Sequence, residues 1–124
     1  MNANENGCSG GPKLVFACSG AADVGALADQ AARKMSQNGT GSMFCMGGIG
    51  GRVEPIMKKT QTAEKIPAID GCPLNCVKAT LEKTGFCEFD HLLITDLGFE
   101  KGSTDINDAN IARVAKAAAE RMAG

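Results

Sequence analysis

Short apolar runs alternate with stretches of helical periodicity along most of the chain. Lys13-Leu14-Val15-Phe16-Ala17-Cys18 is a continuous apolar run closing in Ser19-Gly20, the pattern of a buried parallel strand that enters a turn. From Ala22 to Gln37, Val24, Leu27, Ala28, Ala31 and Met35 recur at helical spacing, and Asn38-Gly39 supplies the stop. Ser42 to Met46 predicts a second short strand, followed by the glycine-rich Gly47 to Gly51 and a brief helix around Val53 to Lys59. Ile66 to Ile69 predicts a third strand. Pro67 cannot donate to a ladder, so it belongs at that strand's start or where a missing N–H does no harm.

The pattern then repeats. Leu74, Val77 and Leu81 mark one face of a helix from Pro73 to Lys83, which Gly85 ends; His91 to Thr95 predicts a fourth strand closed by Asp96-Leu97-Gly98. A last helix is predicted from about Asp105, with Ile111, Val114, Ala115, Ala118 and Met122 on its buried stripe. Strands alternating with helices predict one three-layer α/β domain: a mostly parallel sheet of about four strands, order 2-1-3-4, with helices on both faces. Residues 1 to 12 are polar and rich in glycine and asparagine, and read as a flexible tail before a domain over 13–124.

Composition narrows the function. A chain of 124 residues can bury a core without disulfide staples, and 13 basic against 14 acidic residues provide no cationic surface for nucleic acid. Trp and Tyr are absent, so base stacking has little to use. No apolar run approaches the ~20 residues of a membrane span, and no secretory signal opens the chain. The expectation is a cytoplasmic protein with neither nucleic-acid nor membrane partner. In a reducing compartment, six cysteines point to metal binding or thiol chemistry.

Laid on the predicted elements, the cysteines converge. Cys18 ends strand one, Cys45 lies near the end of strand two, and Cys72 and Cys76 follow strand three. In a parallel sheet with right-handed crossovers all four fall at the carboxyl edge, beside the switch point between strands one and three. Pro73 suits a first helical position, which makes Cys72 the N-cap and puts Cys72 and Cys76 on one face of a first turn, in surroundings that favour thiolate. Four thiolates suit a closed tetrahedral Zn²⁺ site, and an iron–sulfur cluster is the other metal occupant. Thiol–disulfide chemistry at Cys72 and Cys76, or small side chains packed at strand ends, would use the same residues.

Three separated motifs add a resemblance. Ile69-Asp70-Gly71-Cys72-Pro73-Leu74-Asn75-Cys76, with Phe16 to Gly25 and Cys45 to Gly51, resembles the DGC-domain family, named for its Asp-Gly-Cys motif. The resemblance runs from about Lys13 to the last helix. It implies that Cys18, Cys45, Cys72 and Cys76 are the four motif cysteines, proposed in that family as zinc ligands, and it leaves Cys8 and Cys87 outside the motifs. It supplies no reaction. Asp70 is expected either to accept hydrogen bonds from loop amides around Cys72 or to act as an ordinary turn former.

Other chemistries find less in the chain. Six residues separate Cys45 from Arg52, one more than a phosphatase loop uses, and Gly47 to Gly51 matches neither nucleotide-binding glycine pattern. Ser19-Gly20 before a helix could seat an anion, and equally forms a plain cap. His91, the single histidine, falls at a strand start away from the thiol edge, so neither a Cys-His pair nor a histidine ligand is expected. A closed four-thiolate site leaves no position for an activated water, so the expectation is a metal-binding or metal-responsive module rather than an enzyme.

Overall fold

The computed structural model describes residues 10–123; most of the predicted tail, with Cys8, lies outside the described residues. Four short strands, β1 (Leu14–Ala17), β2 (Ser42–Met43), β3 (Pro67–Asp70) and β4 (Asp90–Leu93), form one sheet in the order β2-β1-β3-β4. Every pairing is parallel. The expected α/β architecture and strand order are therefore both present. β1 and β3 occupy the middle and are buried along their whole length, as their unbroken apolar runs require. Pro67 is the first residue of β3, where its missing N–H is tolerated.

Helix α1 (Asp23–Gln37) carries the chain from β1 back to the start of β2, and α5 (Asp108–Ala123) returns across the same face after β4. Their apolar stripes close on Val15, Ala17, Ile69 and Leu92. The opposite face carries α2 (Met46–Gly50), α3 (Glu54–Gln61) and α4 (Cys76–Lys83), with Phe16, Ile49, Ala68, Val77 and Leu81 in its core. The odd and even residues of β1 serve the two layers in turn. That distribution follows from right-handed crossovers: leftward from β1 places α1 on one face, and the rightward connections place the next helices on the other.

β4 ends at Leu93, short of the predicted Thr95, and Ile94–Leu97 winds as a 3-10 turn. Three further boundaries depart from the sequence expectation, each for a local reason. β2 ends at Met43, and the glycine-rich stretch predicted as a loop winds into α2, because Cys45 captures the N–H groups of Gly48 and Ile49 with its carbonyl. The last helix begins at Asp108, three residues later than predicted, where the Asn107 side chain accepts the Asn110 N–H at 2.8 Å. The third departure, the start of α4, changes the site itself.

Candidate thiol site

α4 starts at Cys76, not at Pro73, so Cys72 is not its N-cap and the two cysteines do not share a first helical turn. The cap position belongs to Asn75, in the left-handed region with φ 55° and ψ 49°. From that backbone its side chain makes no capping bond, and its Oδ1 is buried with no partner among the described residues. Capping comes from Asp70 instead. Its two carboxylate oxygens accept the N–H groups of Val77 at 2.8 Å and Lys78 at 3.0 Å, the second and third residues of the helix. A strand-end carboxylate thus serves a helix six residues further on, and residues 71–75 are free to turn between them.

Asp70 is 1 % exposed and has one more partner. Oδ2 accepts from His91 Nε2 at 2.9 Å, and Arg121 holds the backbone of His91 by donating to its carbonyl at 2.8 Å. His91 is opposite Ala68 in the β3–β4 register, so its ring reaches diagonally to Asp70 two positions on. The expectation that His91 stands apart from the thiol edge is corrected: it is joined to that edge through Asp70. Strand-start position is a poor guide here because an imidazole reaches two positions along the neighbouring strand.

The glycine of Asp-Gly-Cys is required by packing. A Cβ on Gly71 would stand 2.7 Å from the Val24 carbonyl carbon and 2.8 Å from Gly25 N, both backbone atoms of the first turn of α1. A Cβ on Gly25 would in turn stand 3.2 Å from Gly20 N and O. The turn after β1, the start of α1 and the turn after β3 are therefore in close backbone contact, with thiols on either side.

Cys18 follows β1 directly, and its N–H donates to Ile69 O at 3.0 Å, which ties it to the end of β3. Cys72 is half-buried on the α1 and α5 side, whereas Cys18 packs toward the other layer. Cys76 heads α4 and is exposed. Partial removal from water pushes the Cys76 thiol above its ordinary range, and the negative charges of Cys18, Asp70 and Cys72 add to the rise, while Lys101 opposes it. The helix-start surroundings were expected to favour thiolate there; burial and neighbouring negative charge act in the other direction.

Cys45 is placed differently. Its sulfur accepts the Gly48 N–H at 3.2 Å and lines an open groove of about 560 Å³ with Arg33, Ser36, Gln37, Met43 and Phe44. Cys87, exposed, lies between α4 and β4, at the amino edge of the sheet. The soft sulfur donors of Cys18, Cys72 and Cys76 suit zinc chemically. Among the described residues, however, no three His, Cys, Asp or Glu side chains stand ready to hold a metal ion.

One feature gave no sequence signal. Lys101, in the loop between β4 and α5, places its Nζ 3.7 Å from Cys72 Sγ. A lysine beside glycine in a polar loop reads as solvent-facing, and only the folded chain brings it across 29 residues to a thiol.

Comparison with known proteins bears on the same stretch. The family described as the DGC domain matches residues 14–118. A protein of Pseudomonas aeruginosa (strain PAO1), named anaerobic and virulence modulator AnvM, is 35 % identical over 88 residues, covering 71 % of this chain and 67 % of the relative. No solved structure matches the chain significantly. No helix among the described residues is long and apolar enough to cross a membrane.

Proposed function

This chain belongs to the DGC-domain family, and on that premise we propose that its carboxyl-edge thiols form a zinc site. Cys18, Cys72 and Cys76 would be three of its donors and Cys45 the fourth. The observation that carries the reading is the backbone bond from Cys18 to Ile69, which brings a β1 thiol to the turn that holds Cys72 and Cys76. Sulfurs gathered at one place repel one another once ionised, and a dication relieves that repulsion while releasing their protons. Closing the site requires the thiol side chains to reorient and Cys45 to leave its bond to Gly48. The residue framework around them is stiff: Asp70 holds the helix start, and Gly71 lies against α1. The relative is named an anaerobic and virulence modulator. A site of oxidisable thiols fits such a role, and we extend to this chain the reading of a metal-responsive module rather than an enzyme, acting in the cytoplasm.

A second reading has one observation behind it. Lys101 beside the Cys72 sulfur suits a reactive thiol, with Cys76 as its partner in disulfide exchange.

Metal analysis and absorption spectra of protein purified without oxygen separate the readings. About one zinc per chain, lost in both Cys18→Ser and Cys72→Ser, supports the zinc site. Retention of zinc in Cys45→Ser would reduce the ligand set to three thiols. Colour from iron and sulfide would replace zinc by a cluster. Folded, metal-free protein with a reversible Cys72–Cys76 disulfide would sink the zinc reading.

A further inference from the structure

The loop from Gly98 to Asn107 crosses the carboxyl edge as a strap held at several points. Asp23, the first residue of α1, accepts the Gly102 N–H with both carboxylate oxygens at 2.9 Å and the Thr104 N–H at 3.0 Å. These bonds span about eighty residues of sequence, so they are tertiary contacts rather than loop geometry. Thr104 Oγ1 closes the strap on itself, accepting the Glu100 N–H at 3.1 Å and donating to Glu100 O at 2.7 Å. On the near side Phe99 packs on the core beneath the Arg113 guanidinium, 4.6 Å from its ring centre. Lys101 is suspended between these anchors, and its ammonium rests against Cys72 Sγ. The same donated hydrogen bonds hold the Asp23 carboxyl below the ordinary carboxylate range.

We propose that this strap makes the Cys72 sulfur a charge-selective reaction site: Lys101 draws in anionic thiol-reactive molecules, such as carboxylate-bearing disulfides and alkylating agents, in preference to neutral ones, and Asp23 is the latch that holds Lys101 there. The inference rests on the proposed thiol site for its location and not on any bound metal. With a carboxylate-bearing disulfide the Cys72 thiolate attacks one sulfur. The S–S bond of the reagent breaks, a mixed disulfide forms, and the departing thiolate takes a proton from water. A unit charge roughly 5 Å from an approaching anion in water changes the rate about fourfold, an effect that salt screens.

The test uses the full chain stripped of metal and reduced, alkylated in parallel with iodoacetate and iodoacetamide. In both reactions the thiolate displaces iodide at the methylene carbon, a C–S bond replacing C–I. Mass spectrometry reads each cysteine separately, and Cys87 at the amino edge serves as the internal reference. The iodoacetate-to-iodoacetamide rate ratio at one sulfur is independent of how much of that sulfur is ionised, so it reports charge near the sulfur alone. The ratio at Cys72 is expected about fourfold above its value in Lys101→Met, retained in Lys101→Arg and lost near 1 M salt. Asp23→Asn should lower the ratio toward its Lys101→Met value, whereas Asp23→Glu keeps it near the starting value. Equal ratios in the parent chain and Lys101→Met would overturn the selectivity, and an unchanged ratio at Cys72 in Asp23→Asn would overturn the latch. Selectivity in a chain that binds no zinc would leave the strap standing and remove the zinc site; zinc binding without selectivity would do the reverse.

Discussion

After β3 the chain leaves the sheet through Asp70 to Cys76, and after β2 it leaves through Cys45 to Gly51; both exits set cysteine beside glycine at the same edge. Their construction differs. The first is built from distant parts: a buried carboxylate shared by two amides and His91, a glycine against the α1 backbone, and a strap anchored at Asp23. The second is built locally, with Cys45 capping its own five-residue helix, Gly48 against the Ile56 side chain, and Gly50 in open space. Position at a strand end places a thiol at the edge, but the bonds of its own turn decide whether it faces the other thiols.

If that contrast is right, substitutions in the first exit should cost far more than those in the second. Asp70→Ala strands two amide donors and removes a hydrogen bond from the His91 ring, and is expected to lower unfolding free energy by about 2–4 kcal/mol in chemical denaturation. A loss below about 1 kcal/mol would show that solvent replaces the carboxylate, and the contrast would fail. Gly71→Ala drives a methyl into backbone atoms that cannot rotate away, for a loss of about 1–3 kcal/mol. By comparison Cys45→Ser, at an exposed position with one weak sulfur acceptor, should stay within about 0.5 kcal/mol in metal-free protein.

The pH effect is the smallest, and it sharpens the contrast because only the first exit is covered by the strap. Asp23 is ionised more readily in the folded than in the unfolded chain. Its contribution is therefore fully present above the unfolded carboxylate value, around pH 4, and is lost as the pH falls through the lower folded value. Asp23→Asn should flatten that part of the stability profile, measured by denaturant midpoints at successive pH values. The same slope in both proteins would mean that the latch does not persist in solution.

Much of this was legible in the chain. The apolar runs of β1 and β3 and the spaced stripes of α1 and α5 predict the elements and the layers, because burial on two faces or on one leaves a period that local sequence records; the suggested strand order needed the structure to establish it. Asp70 beside Cys72 was legible as an acceptor for amides of the turn. Which amides was not, because the local preference of Pro73 for a first helical position yielded to a carboxylate able to reach Val77 and Lys78. His91 and Lys101 left no trace: one reaches the site across a strand pair and the other across a loop. Neither contact has a sequence period.

By itself, then, the sequence determined alternating strands and helices of an α/β sheet, with Cys18, Cys45, Cys72 and Cys76 near the ends of its strands, because side-chain burial along each element is a local record of the fold. Tertiary structure alone decided that Asp70 caps α4 from β3 while meeting His91, and that Lys101 meets Cys72. Those outcomes rest on hydrogen bonds and charges between residues far apart in the chain. Their partners are chosen by distance in space, which no local pattern of apolar and polar positions encodes.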